Sequence, residues 1–206
     1  MTCRRHYLST AALLVTVMLI SGCAGTSEPS RFFLLLTLPD TGETGPSPVG
    51  SASPSVMVGP ITLAAYLDRD QIVRRPGGNE LAIDEFVRWG EPLQDNFYRV
   101  LIDNLSFLLN TAEVYGFNRH EVLPADFQVS IDVIRFDSEV DGDAYLSVFW
   151  TVYGDDGETV LLTRKSIFQA RPAFGDVAGI VAAQNRTLTE FSREIASAIQ
   201  SLHSRF

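Results

Sequence analysis

Hydrophobic positions along this chain change period several times, and each period points to a different element. From Leu8 to Ile20 they form one run behind Arg4 and Arg5. The run is too short for a membrane span, which needs about 20 apolar residues. With a basic start and the small pair Ser21-Gly22 at its exit, it reads as a secretory leader. Further on, Arg31–Leu38 predicts a first strand with Phe32-Phe33-Leu34-Leu35-Leu36 as a buried run. Val56–Leu63 predicts a second, interrupted at Gly59-Pro60 by a bulge or an edge position. Gln71–Arg74 and Glu80–Val87 are shorter strands around Pro76-Gly77-Gly78.

Glu91–Asn110 repeats Leu93, Phe97, Val100, Leu101, Leu105, Leu108 and Leu109 at spacings of three and four, a helix with one apolar stripe. Pro92 suits its first turn, where a missing N–H costs nothing. Phe127, Val129, Ile131 and Val133 alternate with polar residues, and Leu146, Val148, Trp150 and Val152 follow the same period. Gly154-Asp155-Asp156-Gly157 is a hairpin turn, after which Val160–Ala170 returns. Asp176 can cap a last helix whose stripe is Val177, Ile180, Val181, Leu188, Phe191, Ile195, Ile199 and Leu202. Six or seven strands and two long helices predict a two-layer α/β sandwich of α+β type. Its sheet is mixed and largely antiparallel, packed on one face by both helices.

The leader ends in Ile20-Ser21-Gly22-Cys23, a lipobox. Small residues let a peptidase close on the backbone, the Cys23 thiol can carry a diacylglycerol, and its freed amine a third acyl chain. Residues 1–22 are then a cleaved leader and 23–30 a lipidated tether. A single domain follows at 31–206, with a flexible loop at 39–54 rich in Gly, Pro, Ser and Thr. Seven tether residues reach about 25 Å when extended, so the body sits close to its membrane. Ala24, where an aspartate would retain an inner-membrane lipoprotein, favours the outer membrane, facing the periplasm.

Charge narrows the partners. The chain carries −9, and losing Arg4 and Arg5 leaves the body more acidic still. Such a surface argues against nucleic acid and against a basic patch holding the body on anionic lipid. The chain's two cysteines are Cys3, in the leader, and Cys23, so no thiol remains in the body for a disulfide, a zinc site or a nucleophile. His120 and His203 are its histidines, the latter expected as a solvated cation at a helix end. No catalytic motif appears, and no cofactor is expected beyond covalent lipid on Cys23. Asp137-Ser-Glu139-Val-Asp141-Gly142-Asp143 resembles half a calcium loop, but Val148 stands where the bidentate Glu belongs, so it reads as an acidic hairpin tip. Asn104-Leu105-Ser106 and Asn185-Arg186-Thr187 match glycosylation acceptors by chance.

One stretch mixes charges and aromatics as protein contacts do: Tyr66-Leu67-Asp68-Arg69-Asp70-Gln71-Ile72-Val73-Arg74-Arg75, then Asn79-Glu80-Leu81, then Trp89-Gly90-Glu91-Pro92-Leu93. A core Trp89 with locally paired arginines explains the composition equally well. The candidate partner-binding residues are Tyr66, Asp68, Arg69, Gln71, Arg74, Trp89 and Glu91. In order and spacing, with Gly59-Pro60 before it and Val100-Leu101 and Asn104-Leu105 after it, this stretch resembles the PqiC/YmbA family of ABC-transport auxiliary lipoproteins. Ala64-Ala65 departs from that pattern, where a proline is expected. The resemblance implies a non-enzymatic accessory subunit of an MCE-type lipid transport system. Its implied partners are a periplasm-spanning MCE protein, an inner-membrane transporter and further copies of itself. A lipid-binding carrier is the alternative, and an envelope hydrolase a third reading that lacks a nucleophile–base set.

Overall fold

The computed structural model describes residues 28–42, 53–117, 124–139 and 142–205. The leader, Cys23, most of the tether, His120 and most of the 39–54 loop lie outside the described residues. The elements run β1 (Arg31–Phe33), β2 (Val56–Leu63), β3 (Gln71–Gly77), β4 (Glu80–Trp89), α1 (Leu93–Leu109), β5 (Val114–Gly116), β6 (Phe127–Glu139), β7 (Ala144–Tyr153), β8 (Val160–Ala170) and α2 (Val177–His203). All eight strands join one mixed sheet.

Strand β6 is the hub. One of its edges takes β7 antiparallel, and β8 extends that meander. Its other edge is shared: β2 lies parallel along Phe127–Val133, and β3 lies parallel at Ser138 and Glu139. β4 pairs antiparallel with β3, β1 runs parallel to the last residues of β4, and β5 runs parallel to β2. The break at Gly59-Pro60 is a bulge, since the β2–β6 register shifts between Val58 and Ile61. Gly59 has φ +118°, a conformation that glycine adopts without a Cβ penalty.

Both helices cover one face of the sheet, as their stripes require. The strand residues beneath them are those of the alternating set: Val129, Ile131, Val133, Leu146, Val148, Trp150 and Val152, all buried. Phe136 meets Phe97 of α1 edge-on at 5.6 Å and stacks on Trp89 at 6.4 Å. Trp150 meets Phe191 of α2 edge-on at 5.9 Å. Each large side chain buried this way contributes roughly 1.5–3 kcal/mol, the main favourable term. Asp176 caps α2 by accepting from the Gly179 N–H at 2.8 Å. Pro92 stands at the N-cap of α1, one position before the first turn, and α1 ends on a left-handed Asn110. No helix among the described residues is long and apolar enough to cross a membrane.

The first strand is shorter than the sequence predicts. Pairing stops at Phe33, and Leu34–Leu38 leaves the sheet as a strap across the two helices. Its backbone is held by asparagines instead of a neighbouring strand. The Leu35 N–H donates to Asn96 Oδ1 (2.7 Å), the Leu36 N–H to Asn185 Oδ1 (2.8 Å), and the Leu38 N–H to Asn104 Oδ1 (2.7 Å). A buried peptide N–H must find a partner, and these side chains supply it. Asn104 and Asn185, which match a glycosylation pattern, are therefore buried clamps.

Candidate functional site

The candidate residues divide by position. Tyr66 sits in a short 3-10 turn, Ala65–Leu67, between β2 and β3. Asp68 closes that turn, its backbone N–H donating to the Ala65 carbonyl, and its side chain is exposed. Arg69 folds back, Nε donating to the Tyr66 carbonyl at 2.9 Å. Gln71 donates from Nε2 to Glu85 Oε2 at 3.1 Å, across the β3–β4 hairpin. Arg74 is exposed on β3. Glu91 pairs with Arg99 at 2.5 Å. Trp89 is buried in the core against Phe136, so its indole supports the end of β4 from inside and offers no surface to a partner.

What the fold gathers around Tyr66 comes from elsewhere. Asp137, on β6, is fully buried at the centre of a four-residue cluster. Its Oδ2 accepts from Arg75 Nε at 2.7 Å and from the Tyr66 hydroxyl at 2.9 Å, and its Oδ1 accepts from Arg135 Nε at 2.6 Å. The Arg75 guanidinium lies 5.0 Å over the Tyr66 ring, and the Arg135 guanidinium 4.3 Å over Tyr145. Arg135 also donates to Glu139 Oε1 at 3.2 Å. Burial pushes the Tyr66 phenol above its ordinary pKa; the Arg75 hydrogen bond opposes this, and the Asp137 charge adds to it. Tyr66 is thus a neutral hydrogen-bond donor at physiological pH.

The cluster binds three parts of the chain, β6, β3 and the Tyr66 turn, through charge-assisted bonds with fixed direction. It sets the shape on which Asp68, Arg69 and Arg74 are displayed. Sequence reading missed Asp137, placing it at an acidic hairpin tip; the structure puts it inside β6, and Glu139 is the exposed acid nearer the turn. The available signal was Arg135-x-Asp137-x-Glu139, a period-two charge row that puts all three on one strand face. His203 also differs from expectation. It is half-buried, edge-on to Phe127 at 6.4 Å, and not fully solvated.

Two solved structures share this fold. One is a protein of Xanthomonas campestris assigned to family DUF330, 19% identical, with a TM-score of 0.69 over 86% of this chain and 100% of that one. The other, described only as an uncharacterized protein, is 17% identical, with a TM-score of 0.68 over 84% of this chain and 99% of that one. Among curated proteins no relative matches. A family model for the ABC-type transport auxiliary lipoprotein component matches residues 36–196, from the strap through most of α2. Since that span takes in the Tyr66 turn, the buried cluster and both helices, the chain belongs to the family of ABC-type transport auxiliary lipoproteins.

Proposed function

We propose that this protein is a non-enzymatic, lipid-anchored accessory subunit of an ABC/MCE-type envelope lipid transport system. It is held at the outer membrane through Cys23, faces the periplasm, docks a periplasm-spanning MCE protein and so supports membrane integrity. The observation that carries this reading is the family match over residues 36–196. Packing favours docking over a lipid carrier. The space between sheet and helices is filled by Phe97, Leu101, Phe136, Trp150, Leu188 and Phe191, all fully buried, and an acyl chain would have to displace them.

The same reading includes self-assembly. Among the described residues the open strand edges include two long ones: the outer edge of β8, and residues Glu80–Phe86 of β4 beyond the reach of β1. The first carries Arg164 and Lys165, the second Glu80, Asp84 and Glu85. Unpaired edges invite pairing, and unlike edges at opposite ends of one sheet can make a head-to-tail contact, which forms a ring where its rotation closes.

Arg74 tests the docking surface. It is exposed, and no ion pair to it is found among the described residues. Arg74→Glu is expected to reduce co-purification of the MCE protein at least tenfold, while the melting temperature stays within about 2 °C, as for surface substitutions generally. Unchanged co-purification would remove Arg74 and its strand from the contact.

A further inference from the structure

We propose that one end of the sheet faces the lipid surface, with Phe174 entering the headgroup region as a second contact beside the acyl anchor. The inference rests on the lipidation of Cys23 and adds an orientation that lipidation alone does not fix.

The direction of β1 is the starting point. β1 runs parallel to β4, pairing Arg31 with Val87 and Phe33 with Trp89. β4 itself starts at the β3–β4 hairpin tip, so the chain enters β1 from the side on which that tip projects. The register fixes what else lies there. Arg74 and Arg75 pair with Ser138 and Glu139 near the end of β6, Ser138 pairs with Ala144 at the start of β7, and Ala144 pairs with Ala170 at the end of β8. The entry of β1, the β3–β4 tip, the β6–β7 turn and the β8–α2 loop therefore share one end. Cys23 is eight residues before Arg31, a reach of about 28 Å at full extension, so the membrane can be no farther than that from this end.

Phe174 lies in the β8–α2 loop. It is 75% exposed, more than any other large hydrophobic among the described residues. The loop that presents it is fixed in place. A Cβ at Gly179 would collide with the Phe174 carbonyl oxygen, so that carbonyl rests on the first turn of α2. Asp176 caps the same turn, and Arg186 donates from Nη2 to the Arg171 carbonyl. A pinned backbone that holds a phenyl ring in water has no internal packing reason to do so. Phe32, 65% exposed, stands at the entry of β1. The strands that lead to the two rings, β1 and β8, lie five strand spacings or about 24 Å apart across the sheet.

Charge agrees with this direction. The entry end displays Arg31, Arg74 and Arg171 beside its acids. The opposite end, around the β7–β8 turn, displays Glu113, Asp126, Asp155, Asp156 and Glu158. Anionic lipid repels such a cluster within a Debye length, so the acidic end points away from the bilayer.

The body has no other thiol, so single cysteines report position cleanly. Lipidated Phe174→Cys and Val160→Cys proteins, each carrying a nitrobenzoxadiazole label, are reconstituted in vesicles of phosphatidylethanolamine and phosphatidylglycerol. Val160 is exposed at the acidic end. The label at 174 is expected to shift to the blue and lose more than half its emission to shallow nitroxide lipid, while the label at 160 is unaffected. Co-flotation with both labels unquenched, or quenching at 160, overturns the orientation and leaves the anchor standing. Failure of the unsubstituted protein to float with vesicles overturns the anchor, and the orientation with it.

Discussion

Asp137→Ala is expected to destabilise the fold by about 3 kcal/mol. Removing one partner of a buried ion pair typically costs about 3–5 kcal/mol, because a charge is left without compensation. Here the carboxylate is fully buried, but the Arg75 and Arg135 side chains keep 32% and 25% of their surface in water. Water can therefore screen the orphaned guanidiniums in part, which places the effect at the low end. The Tyr66 hydroxyl loses its acceptor at the same time. For a domain of this size the melting temperature should fall roughly 6–12 °C. In urea the midpoint should move with the slope unchanged. Docking of the folded fraction should fall too, because the cluster shapes the Tyr66 turn and β3. A loss below about 1 kcal/mol would mean that the two arginines repair themselves with local acids, and that the cluster holds nothing in place.

Asn104→Ala is expected to cost about 2–3 kcal/mol and to loosen the strap. Asn104 is fully buried, accepts from the Leu38 N–H at 2.7 Å, and donates to Ser192 Oγ at 3.1 Å. The substitution orphans the Leu38 N–H, and each buried unsatisfied group costs about 1–3 kcal/mol. Ser192 loses less, since its hydroxyl still donates to the Leu188 carbonyl at 2.8 Å; a small cavity adds the remainder. Hydrogen exchange over residues 34–38 should accelerate well beyond what the global destabilisation explains. Unchanged relative protection there would show that the strap is held by Leu35 and Leu38 packing and not by the asparagines. Under the proposed anchoring through Cys23, the strap would link β1, and the tether before it, to both helices.

Much of this architecture is legible in the chain, and the exceptions share a cause. The helices announce themselves through stripes such as Phe97, Val100, Leu101 and Leu105, and the meander through the alternation in β6 and β7 and the Gly154–Gly157 turn. These patterns arise because one face meets the core and the other meets water. The strap does not alternate against a sheet: its partners are asparagines 61 to 149 residues away, and nothing local distinguishes Leu34–Leu38 from a strand. β5 is three residues long and too short to show a period. The parallel pairs of β2 and β3 with β6 join segments separated by whole elements. Asp137 escaped notice because acids usually mark turns; Arg75 and Tyr66, arriving from elsewhere in the chain, join Arg135 to make its burial tolerable. Among the candidate residues Tyr66 joins this buried cluster, while Trp89, chosen for its type, is occupied by the core.

The central claim, a lipid-anchored docking subunit, is tested most directly by native mass spectrometry of the protein extracted gently from its membrane. The expected spectrum shows an acylated chain, in multiple copies, bound to an MCE-domain protein and without stoichiometric free phospholipid on the isolated protomer. A protomer that carries one phospholipid per chain and no protein partner would contradict it, and would make this protein a carrier.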